Sequence, residues 1–456
     1  MKADRFKIMH WMNIRKTTPD RVAAAAGLEP DTLAALLAGD TDELSVATAG
    51  ELASALRIAM DQLTRPDTEQ PVAVVMTAEQ LHATRRPIQR AGIHFYNYYT
   101  MAAPAGRVAP VILDILCPAG TLPTLNNGHL EPAITINLGP GDIHGRWGEE
   151  LRPDTWQVLA ANPAGPDAWI VGDSYVEPSY CPHTYGLAGE APARIVSYTG
   201  AANLARLLDE ANTWSPKAFD ALVADWSGPH PAAGALGAIL RRRGHDAETA
   251  GKAADVPADA IERFCAGDPD ALSQDELRAL AGALGFDHRV LIEPVRRRDA
   301  AGKTCATVAD SRASIRSFAG YTVASVASAP GLPDLVGLFM AVDRPVDPSL
   351  PEDALDLCDH GESHYLVTDG EVVLRWREAD GTVSIAELGP DCTAWIAPYV
   401  EHGWTSTGSL IKLGSGEHLG YQDQIELTNT FAPAATLRRG RHDAIGWGYE
   451  PAGTQD

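Results

Sequence analysis

The sequence predicts an α+β protein in which a small helical domain followed by a β-barrel occurs twice. Four landmarks recur in the same order in both halves. The helical segments carry apolar residues at i, i+3 and i+4 and end at glycines. The segments that follow them alternate apolar and polar residues between Gly, Pro and Asp turns, which is typical of short strands. The predicted domains are a helix-turn-helix-like domain (1–66), a barrel (67–206), a second helical domain (207–292) and a second, degenerate barrel (293–456).

The helical landmarks set the repeat. RKTTPDRVAAAAGLEPDTLAALLAG and LSVATAGELASALRI in the first half match RGHDAETAGKAADVPADAIERFCAG and LSQDELRALAGALGF in the second. In the β-rich parts, VAPVILDILCP matches LPDLVGLFMAVDRP, and NNGHLEPAITINLGPGDIHGRW matches CDHGESHYLVTDGEVVLRW. RIVSYTGAANLARLLDEANTW matches LIKLGSGEHLGYQDQIELTNTF as the last landmark. Regularly spaced short strands of this kind indicate a sandwich or a small barrel.

Composition narrows the class of protein. The 456 residues are 45% hydrophobic, enough for several packed cores. No apolar run is long enough for a membrane span, and the six cysteines form no C-x-x-C pair, so we expect a cytoplasmic protein in a reducing compartment with neither a disulfide scaffold nor a zinc module. The net charge of −23 repels nucleic acid and anionic lipid, and an anionic ligand would need a few local cations.

DNA binding is the first hypothesis for helix-turn-helix-like segments. The recognition-helix candidate EPDTLAALLAG carries Glu29 and Asp31 where a base reader would carry Arg, Lys or Asn. Residues 1–64 hold seven Lys/Arg against nine Asp/Glu, so this domain lacks the charge for phosphate contacts. We therefore expect no nucleic-acid partner, and we expect the domain to cap the barrel mouth and present Lys16 to an anionic substrate.

A candidate metal site lies in the first half, with His129 in LNNGHLEP and Glu177 and His183 in DSYVEPSYCPH. Two imidazoles and one carboxylate suit an Fe(II) that keeps positions open for substrate and oxygen. The same set also suits a catalytic zinc, so a hydrolase stays open at this point. Glu131 competes with Glu177 as the third ligand, and Glu177 is favoured.

The repeat provides an internal comparison for this site. Aligning the halves pairs the site residues as follows: His129 with His360, Glu131 with Glu362, Glu177 with Ala397, and His183 with His402. The second copy keeps two histidines and lacks the carboxylate at Ala397. We therefore expect it to bind metal weakly or not at all, with His364 as a residual candidate ligand.

Several long motifs resemble those of the 2-hydroxyethylphosphonate dioxygenases. They are RRPIQRAGIHFYNYYT, VILDILCP, LNNGHLEP, GRWGEE, GDSYVEPSYCPH, ARIVSYT and HLGYQDQIELTNTFAPAATLRRGRHDAIGWGYE. The resemblance covers almost the whole chain and implies a tandem cupin, or bicupin, built from helical and barrel repeats. It also implies Fe(II)-dependent cleavage of 2-hydroxyethylphosphonate to hydroxymethylphosphonate and formate, with O₂ and without 2-oxoglutarate, in phosphinothricin-type antibiotic biosynthesis.

The resemblance implies roles for particular residues. One iron per chain would be held in the first barrel by His129, Glu177 and His183. The phosphonate substrate would contact residues able to bind its oxygens, namely Lys16, Arg90, Tyr98, Asn126 and Ser197, with Lys412 as a further cation. Glu177, Lys16 and Tyr98 would take part in catalysis. These residue types agree with the charge and geometry of a phosphonate dianion.

Three alternatives stay open. Methylphosphonate synthase resembles this sequence and accepts the same substrate, but it has glutamine as third ligand, so Glu177 favours the dioxygenase over the synthase or a mixed activity. A regulator that senses an anion in its barrel would bind DNA through its helices. A zinc hydrolase or isomerase would act without oxygen. We expect no membrane partner, and monomer and homo-oligomer are both open.

Overall fold

The structure is a computed structural model that describes most of the chain. The residues described are 1–65, 71–90, 92–121, 124–148, 156–163, 169–200, 204–218, 220, 230–292, 302–329, 331–332, 334–344, 355–415 and 426–430. Within these ranges, no helix is both long and apolar enough to cross a membrane. All six cysteines are free thiols.

The first helical cluster comprises α1 (Arg5–Ile14), α2 (Pro19–Ala26), α3 (Pro30–Ala38) and α4 (Val46–Leu56). Two helices begin with proline at their first position, where the missing N–H costs nothing, and glycines at their C-terminal ends take left-handed conformations. The apolar faces of all four helices bury a shared core that includes Ile8, Leu33 and Leu52. A two-stranded sheet, β1 (Lys2–Ala3) with β2 (Thr64–Arg65), joins the two ends of this cluster.

The second helical cluster has the same order of elements. It follows α6 (Leu204–Ala211) and comprises α7 (Pro231–Arg243), α8 (Ala247–Ala254), α9 (Ala258–Cys265) and α10 (Gln274–Leu284). Its core includes Leu236, Ile261 and Leu280, each fully buried. Ser273 and Glu276 cap the start of α10 reciprocally.

Two sheets in the first half enclose one core and form what we call the first sheet pair. Its strands in this half are β4 (Arg86–Arg90), β5 (Ile93–Thr100), β6 (Val111–Ile115), β7 (Ala133–Pro140), β8 (Ile143–Trp147), β9 (Trp156–Leu159), β10 (Ser174–Glu177), β11 (His183–Leu187) and β12 (Ala193–Thr199). The larger sheet runs β10–β7–β12–β6–β5–β4, and the smaller runs β11–β8–β9. Trp147, Tyr175 and Tyr185 fill the space between them.

A single larger sheet, the second sheet, forms most of the second half. Its strands are β14 (Arg316–Phe318), β15 (Tyr321–Ser325), β16 (Val336–Arg344), β17 (Glu362–Arg377), β18 (Val383–Leu388), β19 (Thr393–Ile396) and β20 (His402–Ser415). The long strands β17 and β20 pair along almost their whole length, with a register shift between Val367 and Asp369. Tyr365, Leu374 and Trp404 are fully buried in its core.

The two halves exchange one strand each. β3 (Ala73–Met76) comes from the first half and pairs with β19 of the second sheet. Conversely, β13 (Thr304–Ala306) comes from the second half and pairs with β10 of the first sheet pair. A capped short helix follows each exchanged strand, α5 (Ala78–Ala83) and α11 (Val308–Ala313). Because each half completes the other's sheet, the apolar core between them contains residues of both halves.

Candidate metal centre

Three side chains meet at the ends of β10 and β11 in the first sheet pair. Nε2 of His129 lies 3.1 Å from Oε1 of Glu177. Nδ1 of His183 lies 3.4 Å from the same oxygen. One ligand atom from each of the three residues lies within 4.8 Å of the others, and no other group of this kind occurs in the part of the chain that the structure describes. The three residues predicted as metal ligands are therefore brought together.

Both histidines are oriented by backbone carbonyls. Nδ1 of His129 bonds to the carbonyl oxygen of Glu131, and Nδ1 of His183 bonds to that of Cys181 over 2.9 Å. These bonds fix the orientation of both rings. Nε2 of His129 faces Glu177, whereas Nε2 of His183 lies 2.9 Å from the amide nitrogen of Asn126. Glu131, the competing third ligand, contributes its backbone carbonyl and is not part of the cluster. The donor set fits a divalent metal.

Exposure and charge distinguish the members of the cluster. The side chains of Glu177 and His183 are 1% and 8% exposed, whereas that of His129 is 31% exposed. A ligand therefore reaches the cluster from the His129 side. Burial tends to lower the pKa of His129, but the hydrogen bond and negative charge of Glu177 outweigh burial and raise it. A bound cation would stabilise the carboxylate that is buried between the two imidazoles.

The loop before β7 carries His129, and its backbone closely approaches the loop between β10 and β11. Gly128 has φ +72°, and a Cβ there would lie 2.7 Å from the carbonyl oxygen of Cys181. The N–H of Tyr180, itself in a left-handed conformation, donates to the carbonyl of His129 over 2.7 Å. The NNGH segment therefore makes a close backbone contact that places His129 beside the other two ligands.

Asn126 binds His183 through both of its amide atoms. Its Nδ2 lies 2.9 Å from Nε2 of His183, and its Oδ1 accepts hydrogen bonds from the N–H groups of His183 and Gly128. The predicted substrate contact Asn126 therefore lies directly at the cluster.

Tyr98 and Ser197 lie on strands whose inner faces line the same space. Tyr98 packs against the core of the first sheet pair, with its ring 6.1 Å from that of Tyr96. Ser197 alternates with the buried Ile195 on the inner face of β12 and accepts a hydrogen bond of 2.9 Å from Thr135. Substrate contact by either residue stays a prediction.

The other predicted substrate cations are not brought to the cluster by any described contact. Lys16 is exposed, just after α1, in a left-handed conformation with φ 53°. Arg90 ends β4, where its backbone pairs with Ile93, and its side chain lies outside the described residues. Lys412 lies on β20 of the second sheet, where its Nζ binds Oδ2 of Asp359. Their roles stay predictions.

The second sheet corrects the alignment of the two halves by one residue. The N–H of Tyr180 bonds to the carbonyl of His129, and the N–H of left-handed Tyr399 bonds to that of Asp359, both over 2.7 Å. Counting from these tyrosines places Asp359 at the position of His129. The same count places Ile396, and not Ala397, at the position of Glu177.

Only the third ligand position is unchanged in the second sheet. His402 matches His183, and its Nδ1 likewise bonds to the carbonyl two residues earlier, that of Val400. Its Nε2 forms a hydrogen bond of 2.7 Å with the hydroxyl of Tyr365, as acceptor or donor according to the tautomer. The strand registers also match Lys412 to Ser197, so the ammonium that binds Asp359 lies where the first sheet pair has a hydroxyl.

Sequence reasoning missed the aromatic wall behind Glu177. The indole N–H of Trp147 donates to Oε2 of Glu177 over 3.2 Å. The hydroxyls of Tyr175 and Tyr185 bond to each other, and burial raises the pKa of both well above the ordinary value. A sequence signal for Trp147 was available, because an Arg-Trp pair occurs at matching places in the two halves. The pairs are Arg146-Trp147 in GRW and Arg375-Trp376 in LRW.

Known proteins resemble this chain in sequence and fold. The family model described as the 2-hydroxyethylphosphonate dioxygenase cupin-like domain matches residues 82–200. The curated 2-hydroxyethylphosphonate dioxygenase of Streptomyces viridochromogenes is 54% identical over 450 residues, 99% of this chain and 100% of the relative. The solved structure of PhpD with cadmium and hydroethylphosphonate is 53% identical, with a TM-score of 0.84 over 96% of this chain and 100% of that one.

A more distant structure shares the fold. The Streptomyces albus enzyme, solved with Fe(II) and 2-hydroxyethylphosphonate bound, is 20% identical, with a TM-score of 0.80 over 97% of this chain and 98% of that one.

The fold and the site define a metal-binding cupin with a ligand set of two histidines and one carboxylate. The chain is an α+β oxidoreductase of the dioxygenase class. It belongs to the 2-hydroxyethylphosphonate dioxygenase family. The synthase, regulator and zinc-hydrolase alternatives are not favoured by these comparisons.

Proposed function

We propose that this chain cleaves the carbon–carbon bond of 2-hydroxyethylphosphonate to give hydroxymethylphosphonate and formate, at an Fe(II) held by His129, Glu177 and His183. The observation that carries the proposal is the convergence of these three ligands at one open-sided site in a chain of this family. The iron would supply redox chemistry with O₂, and no 2-oxoglutarate is needed because the substrate provides the electrons.

The protein's part is to bind and orient the substrate. The phosphonate is a dianion, and a chain with net charge −23 must meet it with local donors and cations. We assign this role to Arg90, Asn126, Ser197, Tyr98 and Lys16. Asn126 is supported by its contact with His183, and Ser197 and Tyr98 by their places on inward-facing strands.

Charge and position suggest separate tasks for these groups. A guanidinium binds two phosphonate oxygens in a fork, and an amide, a hydroxyl and a phenol can each donate to another. Lys16, on the helical cluster, would add a point charge that closes the site. Together they would hold the substrate in one orientation and restrict water, which is the protein's main contribution to a reaction carried by a metal.

We also propose that the whole chain is a tandem of helical and barrel units, 1–66, 67–206, 207–292 and 293–456, with iron in the first barrel alone. The matching order of helices, exchanged strands and capped short helices in the two halves supports this proposal. Asp359, Ile396 and His402 offer a poorer ligand set than His129, Glu177 and His183. Location in the cytoplasm and the absence of a nucleic-acid partner remain predictions.

The test is product analysis. The protein is loaded anaerobically with Fe(II) and 2-hydroxyethylphosphonate and then exposed to O₂, and the products are read by phosphorus NMR. Hydroxymethylphosphonate with formate is expected, and Glu177→Ala should abolish turnover. Methylphosphonate as the main product, turnover without O₂, or full activity of Glu177→Ala would each contradict the proposal.

A further inference from the structure

A buried cation from the second half of the chain lies in the wall of the metal centre. Lys303 is 2% exposed and comes directly before β13, the strand that pairs with β10. Val176 pairs with Thr304 in antiparallel register, so continuing by one residue places Lys303 beside Glu177. Directly opposed residues on an antiparallel pair share a face of the sheet. A cation and a ligand carboxylate are thus buried side by side.

Trp147 connects the two. Nζ of Lys303 lies 4.5 Å from the centroid of the Trp147 ring, within the range of a cation–π contact. The same ammonium donates to Oε1 of Gln157 over 3.2 Å and lies 3.6 Å from Sγ of Cys305, contacts that also hold it in place. Trp147 is fully buried, and a Cβ added at Gly145 would overlap its ring. The indole is therefore confined between Lys303 and the backbone of its own strand.

The two oxygens of Glu177 have different partners. Oε2 accepts the indole N–H. Oε1 faces both histidines, at 3.1 and 3.4 Å. A carboxylate held in this way offers one oxygen to a metal, which leaves more coordination positions for substrate and oxygen than a carboxylate that binds through both.

The second sheet provides an internal comparison, because the positions that match Glu177 and Lys303 both carry different residues there. At the position of Glu177 stands Ile396, and the strand partner of Ile396 is Ala73, which matches Lys303. The tryptophan is kept as Trp376, but its indole N–H donates to Glu378 over 2.8 Å. Where the carboxylate is missing, the cation is missing too, and the indole points to another partner.

We propose that Lys303, from the second half, is a positioning residue of the metal centre. It holds Trp147 in place, so that the indole N–H keeps one oxygen of Glu177 and leaves the other oxygen to bind the metal. The inference rests on the proposed iron ligands. Lys303 touches neither metal nor substrate in this account and acts through Trp147 alone. The exchange of β13 is then a requirement of the site as well as a feature of the fold.

The test is anaerobic calorimetric titration of the metal-free, full-length chain with Fe(II). Lys303→Met and Trp147→Phe should each weaken Fe(II) binding about 10- to 100-fold, the usual effect of removing an outer partner of a metal ligand. The double variant should bind no more weakly than Trp147→Phe, because the lysine acts through the indole. Thr304→Val, the neighbouring residue on the opposite face of β13, is the matched control and should bind like the wild type.

Each outcome of these titrations either supports or overturns the proposal. Wild-type affinity in a folded Lys303→Met, or in Trp147→Phe, overturns the proposal, as do effects of the single variants that multiply in the double variant. If Lys303→Met does not fold, Lys303→Arg, which retains the cation, and Trp147→Phe give the answer, since the proposal requires near wild-type binding in the first and weak binding in the second. Failure of the wild type itself to bind Fe(II) would instead overturn the proposed function.

Discussion

The hydroxyl of Tyr198 on β12 donates a hydrogen bond of 2.7 Å to Oε1 of Glu362 on β17, joining the two halves through a buried charge. The indole of Trp395 donates to Oε2 of the same carboxylate over 2.8 Å. Burial tends to raise the pKa of Glu362, but the adjacent His364 and the hydrogen bonds from Trp395 and Tyr198 outweigh burial and lower it. The carboxylate is therefore charged and depends on its donors.

Tyr198→Phe should destabilise the protein by about 1–3 kcal/mol, because it leaves a buried carboxylate oxygen without its donor. The measurement is the shift in the urea unfolding transition. Tyr399→Phe, at a tyrosine that is 61% exposed, is the control and should unfold like the wild type. Equal stability of the two variants would show that the bond between the halves contributes nothing.

His402 should make the protein less stable in mild acid. Burial lowers the pKa of His402 from 6.5 to about 4. The hydrogen bond to the carbonyl of Val400 and the charges of Asp359 and Asp356 oppose this lowering in part, and the charge of Lys412 adds to it. Between pH 6.5 and 4 the unfolded chain binds a proton that the folded chain does not, so stability present above pH 6.5 falls as the pH falls, by up to about 3 kcal/mol.

His402→Gln should remove this part of the acid sensitivity. The measurement is the urea midpoint at several values between pH 7 and 4, with His10→Gln, at an exposed histidine, as control. A pH profile of His402→Gln as steep as that of the wild type would exclude His402 as its source.

Ser197→Ala should weaken substrate binding without affecting the metal. One hydrogen bond to a charged group contributes about 1.5–3 kcal/mol, so the dissociation constant of 2-hydroxyethylphosphonate should rise about 10- to 100-fold. Anaerobic titration of the Fe(II)-loaded variant measures this constant, and titration of the metal-free variant with Fe(II) should match the wild type. Unchanged substrate affinity would remove Ser197 from the binding site.

Local sequence signals pointed to the three side chains of the candidate metal centre in advance. His129, Glu177 and His183 lie in short motifs with turn residues around them, and they are the cluster that the structure brings together. Glycines likewise predicted where α2 and α3 end. These features depend on a few adjacent residues, which is why the sequence alone reveals them.

Features that depend on distant residues were beyond sequence reasoning. Lys303 reaches Trp147 because β13 crosses to the other half and pairs with β10. The sequence around residue 303 does not indicate that β13 pairs with β10. The alignment of the halves was wrong by one residue at Glu177, because matching Pro178 to Pro398 hid a one-residue shift that the paired tyrosines Tyr180 and Tyr399 reveal. Long-range register is set by packing, and a single sequence does not display it.

The location of iron tests the account most directly. Crystals grown anaerobically with Fe(II) should give one strong peak per chain in an anomalous difference map at the iron edge. We predict that peak within bonding distance of a ring nitrogen of His129, a ring nitrogen of His183 and Oε1 of Glu177. A peak beside Asp359 and His402 in place of that one, or no peak at the first site, would contradict the account.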